Sequence, residues 1–312
     1  MAETATKTRS SNDDRLLSGE FMRRLDQLDV MSRKILRGRM QGERRSKKRG
    51  QSVEFADYRN YVVGDDLRRI DWNLYARLDK LFLRLFMEEE DLSVSVLFDT
   101  TRSMDWGDPN KLLYAKRLTA ALGYIALVHY NRVGIFSFTN TINDSVRGLR
   151  GRRPIPRMLE FIEAQGPGDR ATEKWGNLTE VCRRFALTQR HPGVVVVISD
   201  FFDKGDLNQA LRHLGGDRFD VYVIQLLAPQ EVDPVKGNIL GDLRLRDVED
   251  DDLAEVSVGP ALLKRYKANL QGYCNHLREQ CLRRGIAYMI SETSMPFETL
   301  VLQHLRERRL LG

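Results

Sequence analysis

A chain of 312 residues, 42% of them hydrophobic, can bury one large core or two modest ones without covalent staples. Its three cysteines, Cys182, Cys274 and Cys281, form no CxxC pair and have no histidines at ligand spacing, which excludes a disulfide framework or zinc site and fits a reducing compartment. The net charge of +6 and pI near 9.2 suggest a polyanion binder, yet the excess is local: Arg33, Lys34, Arg37, Arg39, Arg44, Arg45, Lys47, Lys48 and Arg49 face only Glu43, and the remainder is nearly balanced.

Residues 1–14 are small, polar and charged and are expected to form a disordered tail. This start lacks the apolar run of a signal peptide and no later stretch approaches a bilayer span, so a soluble, cytoplasmic protein is expected. A basic helical arm is expected over 15–50, with an amphipathic helix from Leu16 to Met40 burying Phe21, Leu25, Leu28, Met31 and Ile35. Residues 51–90 form a β-rich lead-in, with strand-like runs at Ser52–Val63 and Lys80–Met87 around a polar turn at Gly64–Asp71.

From 91 to 312 the pattern is that of one α/β domain. Leu92–Phe98 (LSVSVLF) reads as a buried central strand ending at Asp99. A helix from Pro109, with the stripe Ala115, Leu118, Leu122 and Ile125, leads to the strand Arg132–Phe138. Helices at Ile155–Ala164 and Leu178–Leu187, the strand Gly193–Ser199 (GVVVVIS), a helix at Leu207–Leu214 and a strand at Asp220–Leu227 continue the alternation. An insertion over 229–258, with a hairpin at Asp242–Val258, interrupts it. A long helix at Ala261–Arg284, the strand Ile286–Ile290 and a terminal helix opened by Pro296 resume it. The expected fold is α/β, a doubly wound and mostly parallel sheet.

In such sheets ligands sit beyond the carboxyl ends of the strands. Asp99, with hydroxyls at Thr101 and Ser103, offers three oxygen donors from one turn, and Asp200 follows the second buried strand. All-oxygen donors suit Mg²⁺ or Mn²⁺. The competing reading is an N-cap arrangement that satisfies the next helix's amides.

The Asp99-x-Thr101-x-Ser103 segment with distant Asp200 resembles the metal-ion-dependent adhesion site of von Willebrand factor A domains. That resemblance implies a further threonine near Gly176-Asn177-Leu178, where this chain has glycine; Thr172 and Thr179 stand nearby. A longer motif, comprising Phe55, Tyr58, Arg59, Tyr61, Gly64-Asp65-Asp66, Arg68, Ile70-Asp71-Trp72, Ala76-Arg77, Leu83 and Arg84, is similar to the bacterial family called domain of unknown function 58. The resemblance implies a protein without established catalysis that acts with a MoxR-type AAA+ ATPase and with other A-domain proteins. The alternating charges of the motif are read as structural pairs, with Trp72 and Tyr58 adding buried apolar area.

The expected function is therefore a non-enzymatic protein-binding adaptor. The alternatives are a nucleic-acid or anionic-surface binder acting through the arm and, less favoured, a metal-dependent hydrolase. Haloacid-dehalogenase chemistry needs a carboxylate two residues after Asp99, where Thr101 stands. There is no P-loop, no G-x-S-x-G elbow and no HExxH spacing among the five histidines.

Overall fold

The computed structural model describes residues 16–30, 55–62, 65, 67, 70–86, 92–168, 178–189, 191–203, 205–237, 241–246, 253–307 and 310–312; at 55–57, 84–86, 242–246 and 253–257 only the backbone is described. The chain divides into a main unit, residues 1–38 and 92–312, and a small unit, residues 39–91. The expected tail over 1–14 and most of the basic arm lie outside the described residues.

In the main unit a short helix α1 (Gly19–Leu25) is capped by the Ser18 hydroxyl, which accepts from Phe21 N at 3.2 Å. It stops far short of the expected Met40. Asp29 instead pairs its backbone with Gly312, Val30 bridges to Leu311, and Phe21, Leu25, Leu28 and Val30 are buried in the main core. The described part of the segment expected as an arm is thus integral to the large unit.

The small unit pairs β1 (Phe55–Asn60) with β2 (Phe82–Phe86) antiparallel. A helix, α2 (Trp72–Leu78), follows the expected turn and was not legible as such. Within this unit the expected charge pairing is visible at the described positions. Arg59 donates to both oxygens of Asp65 at 2.8 and 2.7 Å, and holds that carboxyl below its usual range. The buried Asp71 accepts from the Tyr58 hydroxyl at 2.9 Å and from the amides of Asn73 and Leu74, capping α2. Trp72 departs from expectation: it is 60% exposed, edge-on to Tyr75, because the capped helix turns it outward. Asp71→Ala removes the helix cap and the bond from the Tyr58 hydroxyl, so it is expected to destabilise the small unit by about 1 kcal/mol or more. Hydrogen exchange localised to 55–86 would measure this, and unchanged protection there would contradict it.

The main sheet has the doubly wound, mostly parallel form expected. Its strands are β3 (Ser93–Asp99), β4 (Arg132–Phe138), β5 (Ile142–Leu149), β6 (Gly193–Ser199), β7 (Phe219–Leu227) and β10 (Ala287–Glu292), in spatial order β10-β7-β6-β3-β4-β5. All neighbours are parallel except the edge strand β5, which runs antiparallel to β4. Strand β5 was not expected. Between β7 and β10 the expected hairpin is present as β8 (Gly241–Arg246) and β9 (Leu253–Val258).

Alternate residues of β3 and β6 serve two cores. Val94, Val96, Phe98, Val194, Val196 and Ile198 face α3 (Lys111–Val128) and α4 (Ile155–Ala164), with α1 beyond. Leu97, Val195 and Val197 face α5 (Leu178–Thr188), α6 (Leu207–Leu214) and α7 (Pro260–Arg283). Both faces are covered, so these strands read as predominantly apolar runs. Helix α3 is buried almost all round because the sheet lies on one side and α1 and Phe297 lie on the other. Among the described residues no helix is long and apolar enough to cross a membrane.

Candidate functional site

The chain leaves β3 toward β4 on one side and returns at β6 on the other, so β3 and β6 flank the topological switch point. Crevices open beyond the carboxyl ends of strands there. Asp99 ends β3 and Asp200 follows β6. The cavity at this point has a volume of about 20 Å³ and is lined by Asp99, Thr101, Ser103, Ser199, Asp200 and Asp203, with Thr139, Phe138, Phe202 and Leu178 completing the wall. That is room for one water-sized species. All four site residues expected from the sequence are therefore brought together.

Asp99 is buried and its carboxylate is held at both oxygens. Thr101 N donates to Oδ1 at 2.8 Å and Ser199 Oγ donates to Oδ2 at 2.6 Å. Burial first, and the negative charge of Asp200 second, push its pKa up to about 7, against the pull of those hydrogen bonds. The Thr101 and Ser103 hydroxyl oxygens lie 2.9 Å apart and share one hydrogen bond. The competing cap arrangement is present only in part: Asp99 accepts from Thr101 N, but Thr101 makes no side-chain cap bond, and α3 begins later, at the Asn110 cap.

Asp200 is also engaged on both oxygens, by Phe202 N at 3.1 Å and by the ammonium of Lys111 at 2.8 Å. Lys111 has no solvent exposure and bonds Glu231 Oε1 at 2.5 Å, with its charge 5.7 Å from the Phe202 ring centre. Burial works to lower the Lys111 pKa, but the charges of Asp200 and Glu231 outweigh it and hold the ammonium above its ordinary range. The turn after Asp200 is held firmly. Phe201 takes φ +61°, its amide donates to Ser199 Oγ at 2.8 Å, its carbonyl accepts from Tyr273, and Gln225 donates to the Asp200 carbonyl at 2.9 Å. A non-glycine residue in this region costs of order 1–3 kcal/mol, which these three contacts must over-determine.

The remote threonine expected from the resemblance has no described counterpart. Gly176 and Thr172 lie outside the described residues, and Thr179 donates to the Asp206 carbonyl rather than lining the cavity. Thr139, at the end of β4, lines it instead and donates to Asn143. Sequence reasoning missed Thr139, Lys111, Glu231 and Asp203. Lys111 had a signal: it stands four residues before Ala115, in the apolar stripe of α3, and at a helix N-terminus, where a cation is disfavoured.

The donors fit a hard divalent ion. Adjacent ligands of an octahedral ion with about 2.1 Å bonds are roughly 3.0 Å apart, which the two hydroxyls already satisfy, and each carboxylate oxygen keeps a spare acceptor site. The set holds only two carboxylates at its centre, and among the described residues no three His, Cys, Asp or Glu side chains group as metal ligands.

Fold and site together define a doubly wound α/β domain with a largely polar pocket at its switch point. The family described as "Protein of unknown function DUF58" matches residues 57–276, and the chain belongs to that family. The uncharacterized protein Rv1480 of Mycobacterium tuberculosis is 27% identical over 237 residues, which cover 75% of this chain and 73% of that protein; Mb1516 of Mycobacterium bovis matches equally. Among solved structures, the conserved hypothetical protein BatB from Bacteroides thetaiotaomicron is similar at 15% identity, covering 69% of this chain and 98% of that one, with a TM-score of 0.42. The SpRpn10 VWA domain is similar at 10% identity, covering 67% and 93%, with a TM-score of 0.39.

Proposed function

We propose that this protein is a non-enzymatic binding module in which Asp99, Thr101, Ser103 and Asp200 hold Mg²⁺ or Mn²⁺ and offer it to a carboxylate of a protein partner. The observation that supports this most is the 2.9 Å hydroxyl pair beside two buried carboxylates at the switch point. The ion supplies a Lewis-acidic position that accepts an anionic ligand. The protein's own residues orient the donors: Ser199 and Thr101 N fix Asp99, and Phe202 N fixes Asp200. A MoxR-type AAA+ ATPase is the partner that the resemblance to the family implies.

Calorimetry at pH 8, above the raised pKa of Asp99, tests the site. Mn²⁺ is expected to bind weakly to the wild type and about tenfold or more weaker to Asp99→Ala. The same null response in both chains would leave these residues as structural caps. The adaptor role is tested by co-purification with a MoxR-type ATPase, which is expected to fail with chelator and with Asp99→Ala or Asp200→Ala variants shown to be folded.

A further inference from the structure

Lys111 is wholly buried, yet no contact of its own helix holds its charge in place. It begins α3, where the helix dipole disfavours a cation, and its ammonium reaches across to Asp200 after β6 and to Glu231 in the turn Pro229–Val232 after β7. The acceptor it takes from Asp200 belongs to the carboxylate that closes the metal pocket. Two cations against one carboxylate repel each other, and strongly so out of bulk water. A buried Asp200 without any cation beside it would in turn be costly, so something must neutralise it when no ion is bound.

We infer that Lys111 is a tethered cation that competes with the divalent ion for Asp200, lowering the ion's affinity while making the pocket's shape independent of metal. This rests on the metal reading above and adds its regulation: the lysine keeps the strained turn at Phe201 in place in the absence of the ion, unlike sites whose folding needs the metal.

The test compares full-length wild type, Lys111→Arg, Lys111→Met and the double variant Lys111→Met/Glu231→Gln. The double variant removes one charge of each sign, so it guards against failure of the single Met variant to fold. Mn²⁺ titration by calorimetry is expected to give at least about tenfold tighter binding to the double variant than to wild type or Lys111→Arg. The melting temperature of wild type should ignore chelator, whereas that of the double variant should fall on chelation and recover with Mn²⁺. Equal Mn²⁺ affinity in all folded chains would overturn the competition while leaving the metal site intact. Weaker binding in the double variant would overturn it as well, making Lys111 a support of the site. Absence of Mn²⁺ binding in every chain would instead remove the metal reading and this inference with it.

Discussion

Gly193→Ala is expected to lower the stability of the main unit by about 3 kcal/mol or more, the upper part of the range for overpacking a tight site. Gly193 pairs in register with Ser93 at the start of the two central strands, and a Cβ placed there would lie 2.1 Å from the Ser93 carbonyl oxygen and 2.9 Å from its carbonyl carbon. The obstacle is backbone, so no side-chain rotation relieves it. β3 and β6 must separate, and β7 constrains β6 from the other side. Since Asp99 and Asp200 lie at the far ends of these same strands, the spacing across the pocket is expected to loosen too. Denaturant unfolding measures the first effect; a melting temperature within about 1 °C of wild type would show that the strands accommodate the methyl group.

The second large effect is a pH dependence assigned to one carboxyl. The folded pKa of Asp99 is raised, to about 7, above the ordinary value of 3.8 that the unfolded chain retains. Between those values the folded protein holds a proton that the unfolded chain releases. The stability linked to Asp99 is therefore fully present below about pH 4 and is lost as the pH rises through 7, with a slope of at most about 1.4 kcal/mol per pH unit. The amide introduced by Asp99→Asn imitates the neutral acid at every pH. In chelator-treated buffer, the stability of wild type minus that of Asp99→Asn should fall from pH 5 to pH 7 and level off by pH 8. A difference that does not change with pH would show that Asp99 is ionised throughout.

Legibility in the sequence followed burial. Strands β3 and β6 are covered on both faces, so β6 is a nearly continuous apolar run and β3 is one interrupted only by the small, buried Ser93 and Ser95 before Asp99. The edge strand β5, INDSVRGL, has one partner and many exposed side chains, and its polar residues conceal it. The amphipathic pattern after Leu16 buries Phe21, Leu25 and Leu28, but helix α1 ends at Leu25, where the chain turns to pair Asp29 with the backbone of Gly312; Met31 to Met40 lie outside the described residues. The site divides in the same way. Asp99, Thr101 and Ser103 fall within one turn and Asp200 ends a matching strand, so local spacing and strand position find them. Glu231 enters only because β7 lies beside β6, and Thr139 only because β4 lies beside β3; spacing along the chain reveals neither.

The contacts around Glu231 link the pocket to a distant part of the surface. Besides meeting Lys111, Glu231 accepts from Ala228 N at 2.7 Å and its carbonyl accepts from Tyr266 of α7 at 2.8 Å, while its neighbour Gln230 makes reciprocal bonds with the backbone of Asp108 at 3.2 and 2.9 Å. The loop after Asp99, the turn after β7 and the beginning of α7 are consequently cross-braced, and β8 and β9 branch from between the last two. A cation that displaced Lys111 from Asp200 would press its ammonium onto Glu231, the partner that remains, and so load the brace at the root of that hairpin.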